Sequence, residues 1–146
     1  MCIRDRAYDI SETAYDDEAL LVLNELDPAL NNSADPNSFN MSHYQPSYWF
    51  INGKAYSQTE KILTAPNHTV LLRTINLGLQ EHSLGVLGLH QTLLAVDGSL
   101  KTYTFNGTEL PALSEIVAYT LGAGETIDSL VAIPADAVEN LSLIHI

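Results

Sequence analysis

YWFINGKAYSQTEKILTAPNHTVLLRTINLGLQEHSLGVLGLHQTLLAVDG, residues 48–98, carries three signals in order. An aromatic strand from Tyr48 runs into the Asn52-Gly53 turn, a dipeptide that accepts the positive φ of a tight hairpin at small cost. Residues 69–76 then read as a strand of Val, Leu, Ile and Thr holding one arginine, Arg73. A histidine-glycine segment from His82 leads to a second turn, Asp97-Gly98.

Outward from this stretch the same grammar continues. Asn106-Gly107 marks another hairpin, and Gly122-Ala123-Gly124 separates two further apolar runs. The spacing predicts strands over 69–76, 83–89, 92–96, 101–105, 116–121 and 126–133. Many short strands between regular turn signals indicate an all-β sandwich or barrel. Upstream, residues 16–26 (DDEALLVLNEL) are ambiguous. Leu20, Leu23 and Leu26 recur at near-helical spacing, yet Leu21-Val22-Leu23 also suits a buried strand. Residues 27–46, rich in Asn, Asp and Pro, read as a long loop.

The 146 residues suit one domain, and a hydrophobic fraction of 46% is that of a globular chain. No apolar run approaches the roughly 18–20 residues that span a bilayer as a helix. A net charge of −12 leaves no basic footprint for nucleic acid; it keeps a surface soluble and favours cationic partners. The two ends read differently from the middle. MCIRDR (1–6) and LSLIHI (141–146) resemble translated sequencing-adapter read-through, so the domain is expected over 7–140. The alternative for LSLIHI is a native edge strand, which its alternation allows. Cys2, the one cysteine, falls in the suspect end, which leaves 7–140 without a disulfide or a thiolate metal ligand.

Three motifs carry a family resemblance. Ile51-Asn52-Gly53-Lys54, Leu71-Leu72-Arg73-Thr74-Ile75-Asn76 and Gly124-Glu125-Thr126-Ile127-Asp128 occur in the order found in the middle domain of three-domain multicopper oxidases, the laccase-like family. Asn24-Glu25-Leu26-Asp27 and Tyr48-Trp49 also fit, so the chain resembles that domain from about Asp16 to Pro134. The resemblance implies a cupredoxin-like Greek-key β-sandwich and resolves 16–26 as a strand. It further implies a parent protein that oxidises a reducing substrate while reducing oxygen to water, with copper in its other domains. Its partners would be the flanking cupredoxin domains of the same chain, and its location periplasmic or extracellular.

Copper itself is not expected in this chain. A blue-copper site needs two histidines and a cysteine. Where copper-bearing domains of the family have a His-x-His pair, this chain has Gly85-Val86-Leu87, and the downstream His-Cys-His cluster is missing. His82 and His90 would stand roughly 26 Å apart on one continuous strand, too far to share an ion. They read as structural or surface histidines, and His43 and His68 as isolated. No catalytic, cofactor-binding or metal residue is therefore assigned.

Other chemistries are equally unsupported: no Gly-x-Ser-x-Gly elbow, no phosphate loop and no His-Glu-x-x-His is present. Asp16, Asp17 and Glu18 read as a solvated turn, and Asp9 and Glu12 lack context. Arg73 is either surface-facing or partly buried; if buried it needs an acidic partner, with Asp97 and Asp128 as candidates. Tyr44, Tyr48, Trp49 and Phe50 form an aromatic cluster suited to core packing or to an interdomain contact. The reading that competes with an oxidase domain is a free-standing β-sandwich binding module.

Overall fold

Apolar runs separated by turns fold here as strands. The computed structural model describes residues 13–137 and the backbone of 143–145; the 1–6 segment, Cys2, Asp9, Glu12 and the rest of 141–146 lie outside the described residues. In chain order the strands are β1 (Asp17–Leu26), β2 (Tyr48–Ile51), β3 (Lys54–Ala55), β4 (Thr69–Asn76), β5 (His82–Val86), β6 (Gln91–Val96) and β7 (Ser99–Leu100). They continue as β8 (Thr102–Phe105), β9 (Thr108–Pro111), β10 (Ser114–Ile116), β11 (Ala118–Leu121), β12 (Thr126–Ala132) and β13 (Leu143–His145). The larger sheet runs β10-β6-β12-β4-β1-β2-β3, with β7 on β6. A smaller sheet runs β11-β5-β13, and β8 and β9 form a separate hairpin.

The core explains why β4 reads as an unbroken apolar run rather than an alternation. Its Val70 and Leu72 pack with Val86, Val131 and Ile133, while Leu23, Leu84, Leu93, Leu121 and Ile127 fill the neighbouring space between the sheets. On the other face, Leu71 packs with Leu94, Ala95 and Leu130 beneath Tyr15, Leu100 and Leu113. Both faces of β4 and β12 are thus buried, at about 1.5–3 kcal/mol for each large apolar side chain removed from water. β1 joins β4 in parallel, from Asp17↔Val70 to Leu23↔Asn76. The helix–strand ambiguity of 16–26 is settled as a strand by this ladder.

Two crossovers close one corner of the sandwich. The chain leaves β5 in the small sheet and enters β6 in the large one through a turn in which Leu89 N donates to Val86 O (3.2 Å) and Gly88 has φ +77°. It returns between β10, paired with β6, and β11, paired with β5, across Val117. The predicted strands 83–89 and 116–121 therefore each break at a change of sheet. Gly85, in β5 opposite Ala118, sits beside the second of these crossovers: a Cβ there would lie 2.9 Å from Val117 O. The expected loop 27–46 also holds local structure, a short helix α1 (Pro28–Asn31) and 3-10 turns at Pro36–Ser38 and Met41–His43. Their first turns are capped by the side chains of Asp27, Asp35 and Asn40. β9 is the return strand of the expected Asn106-Gly107 hairpin, β7 lies outside the expected runs, β10 meets them only at Ile116, and β13 takes the edge-strand place beside β5.

All three Xxx-Gly turns adopt the expected positive φ, with 52° and 74° at Asn52-Gly53. Asn52 does more than turn the chain. Its Oδ1 accepts from Val22 N (2.8 Å), its Nδ2 donates to Leu20 O (2.9 Å), and its own N donates to Val22 O (2.9 Å). The turn is thereby stitched to β1. A Cβ at Gly53 would meet no atom within 4 Å, so the cost of a substitution there is backbone strain alone. Gly53→Val is expected to destabilise the fold by about 1–3 kcal/mol. Gly107→Val, in the outlying β8–β9 hairpin, should cost less. Chemical denaturation of the two variants compares them directly.

Candidate functional site

The chain's most constrained polar group is Glu25, near the end of β1 and opposite Trp49 across the β1–β2 ladder. Its side chain is 0% exposed. Oε1 accepts from Leu79 N (2.6 Å), Gln80 N (3.1 Å) and Tyr44 Oη (3.0 Å), and Oε2 lies 3.2 Å from His82 Nε2. Burial pushes the carboxyl up, but hydrogen bonds from Leu79, His82, Gln80 and Tyr44 outweigh it and hold it below its ordinary value. Burial and the adjacent Glu25 charge push the Tyr44 phenol up to about 12. The loop from Leu77 lies directly on the carboxylate, and a Cβ at Gly78 would overlap it.

Neighbouring polar side chains complete the clamp. Asn76, fully buried at the end of β4, donates through Nδ2 to Gln80 O (2.7 Å) and Gly122 O (3.0 Å) and accepts from Gly78 N (2.9 Å). Asp27, also buried, accepts from Ala29 N (2.7 Å) and Gln45 N (2.8 Å), so it caps α1 and ties down the chain entering β2. Glu125 accepts from Gly122 N (2.7 Å) and Tyr119 Oη (2.7 Å). The motif residues Glu25, Asp27, Asn76 and Glu125 all fasten loops.

The histidines separate. His82 is buried against Glu25, whereas His90 is exposed beyond the Gly88 turn. His68, expected to be isolated, instead places Nδ1 2.7 Å from Asp17 Oδ2, which also accepts from Thr64 Oγ1 (2.7 Å). The Asp17 hydrogen bond raises the His68 imidazole, and the same bond lowers Asp17. Asp16 and Glu18 are exposed, as a solvated cluster implies, but the segment opens β1 and its acids are paired: Asp16 accepts from Thr69 N (2.9 Å), and Glu18 Oε1 lies 2.7 Å from Arg73 Nε. Arg73 is partly buried, and Glu18 holds its Nε. The parallel register Leu20↔Arg73 puts Glu18 on the same face, one diagonal away. Asp128 stands opposite Arg73 in the β4–β12 ladder, while Asp97 caps Thr126 N (2.9 Å).

These residues do not fit copper. Gly85 has no room for a side chain against Val117 O, Val86 belongs to the core, and the His82 Nε2 faces the Glu25 carboxylate. Among the described residues no group of three His, Cys, Asp or Glu could hold a metal ion, and no helix is long and apolar enough to cross a membrane.

No protein-family model matches the sequence, and no curated protein does. Solved structures do match the fold. The blue copper oxidase from Nitrosomonas europaea superposes with a TM-score of 0.69 at 20% identity, over 84% of this chain and 35% of that one. Fet3p, a multicopper oxidase that functions in iron import, gives 0.69 at 17% identity, over 97% of this chain and 25% of its own. The copper-containing nitrite reductase from Thermus scotoductus SA-01 gives 0.66 at 12%, over 92% and 28%. The fold is thus an all-β, cupredoxin-like sandwich of the kind that multicopper oxidases contain. The chain spans about a quarter to a third of the length of these proteins.

Glu25→Gln keeps the size of the side chain and removes the charge that receives four donors. At neutral pH the variant is expected to lose about 1.5–3 kcal/mol of stability, the range for a hydrogen bond to a charged group. A carboxyl lowered by folding contributes stability above its unfolded value, ordinarily 4.5, and loses it as pH falls through the folded value. The gap between parent and variant should therefore be full at pH 6–7 and close progressively below about pH 4.5. Denaturant midpoints across that range check it; a gap independent of pH would remove Glu25 as the charged clamp.

Proposed function

We propose that residues 7–140 form the copper-free middle cupredoxin domain of a larger multicopper-oxidase-like protein. In this reading the domain spaces the copper-bearing domains and packs against them, and takes no electron itself. The observation that carries it is the corner at Gly85. The fold is that of copper-oxidase domains, yet the place of a ligand-bearing segment is taken by a glycine pressed against Val117 O and by the core residue Val86. The parent would oxidise a reducing substrate and reduce oxygen to water at copper held elsewhere in its chain. Export to the periplasm or cell exterior accompanies that role.

The surface suits such a neighbour. Tyr48, Trp49, Leu77 and Leu79 are all exposed at the end of the sandwich that Glu25 organises, and the Trp49 indole reaches Gln80 Oε1 (3.4 Å). Glu25 is turned inward and paired, so its charge is withdrawn from this apolar end. Exposed apolar groups rimmed by polar ones mark interaction surfaces.

The purified 146-residue chain, loaded with copper and desalted, is expected to retain no stoichiometric metal by elemental analysis, and to consume no oxygen with phenols or ferrous iron beyond a free-copper control. One firmly held copper per chain, lost on His82→Ala or His90→Ala, would overturn the proposal.

A further inference from the structure

The Asn106-Gly107 turn joins β8 and β9. It shares its dipeptide with Asn52-Gly53 and its backbone with both other turns: φ is 50° and 78° here, against 52° and 74° at Asn52-Gly53 and 49° and 71° at Asp97-Gly98. What differs is the side chain. Both amide atoms of Asn52 are bonded to β1, and Asp97 Oδ1 is held by Thr126 N. Asn106 is exposed, and its amide makes no hydrogen bond among the described residues.

The supporting structure differs as well. β8 and β9 pair with each other from Thr102↔Pro111 to Phe105↔Thr108, in a sheet apart from the sandwich. Every residue of β8 is exposed, with Tyr103 at 52% and Phe105 at 61%. A lone two-stranded hairpin is marginally stable, so it opens at far lower free energy than strands buried in the core. Opening matters because the left-handed turn must relax before the backbone can reach the side chain of Asn106.

We infer that Asn106-Gly107 is a site of spontaneous succinimide formation, and that the fold protects Asn52-Gly53 from the same reaction. The Gly107 amide nitrogen attacks Asn106 Cγ. A carbon–nitrogen bond forms, the bond from Cγ to the side-chain nitrogen breaks, and that nitrogen leaves as ammonia with the Gly107 amide proton. Glycine leaves the attack unhindered, and a Cβ at Gly107 would meet nothing within 4 Å. Water then opens the ring at either carbonyl, leaving an aspartyl or an isoaspartyl residue at position 106. Either product adds a carboxylate to a chain already at −12. The isoaspartyl form also inserts a methylene into the backbone and so changes the geometry of the two-residue turn. The reaction thus acts on the outlying arm and spares the sandwich.

The test ages the intact 146-residue chain at mildly alkaline pH, with peptide mapping by mass spectrometry and isoaspartyl methyltransferase labelling. In the folded protein, modification at Asn106 is expected to exceed that at Asn52 by about tenfold or more, which corresponds to ~1.4 kcal/mol between the two openings. In denaturant the two Asn-Gly sites should react at similar rates. Equal rates at both sites in the folded chain would overturn the inference. So would a folded chain in which Asn106 resists under conditions that modify it in denaturant.

Discussion

A carboxylate with no exposed side-chain surface is tolerable when donors replace the water it has lost. Glu25 meets that condition by recruiting Tyr44 from the long loop before β2, Leu79 and Gln80 from the β4–β5 connection, and His82 from the small sheet. One charge therefore sets the course of two loops and fixes the start of β5. Gly78 follows from it, because a side chain there would occupy the space of the carboxylate. The geometry of Trp49 follows too, since its indole rests on Gln80. The apolar end of the sandwich is held in shape by a group that is itself invisible from outside.

The same logic accounts for the family-like motifs. Asp27, Asn76 and Glu125 each receive or give hydrogen bonds to backbone groups that no strand partner can reach. Orphaned backbone groups at strand ends must be satisfied, and side chains of fixed length at fixed positions do so. In this chain these motif residues fasten loops, a requirement of the fold rather than of any chemistry.

Much of the architecture is legible in the sequence because the determinants are local. The Asn-Gly and Asp-Gly turns and the apolar run of β4 depend on neighbours within a few residues, and they appear where expected. The failures share a different cause. Asp17 meets His68 across 51 residues and Thr64 across 47, so three consecutive acids look like a solvated turn until β1 is laid parallel to β4. Glu18 as a partner of Arg73 is hidden for the same reason, whereas Asp128, named from the sequence, does stand opposite Arg73. The breaks at Leu87 and Val117 depend on which sheet each strand joins, and β9 and β10 are too short and exposed to show a period. Glu25 carries no local sign of burial, since the groups that cover it lie 19 to 57 residues away.

Gly85 joins these threads. In the sequence, the resemblance to multicopper oxidases makes it a position where a ligand would be expected in a copper-bearing domain. In the structure it lies within β5 opposite Ala118 of β11, with Val117 O of the β10–β11 crossover against the space a Cβ would fill. Close packing of this kind leaves no slack for a larger side chain without backbone movement. A histidine here would have to push Val117 away from β5, and it would still find no thiolate among residues 7–140. His82, the nearest imidazole on β5, is already committed to Glu25. The tightness of this corner is thus a packing feature: the space a side chain at Gly85 would need is occupied by Val117 O and Ala118.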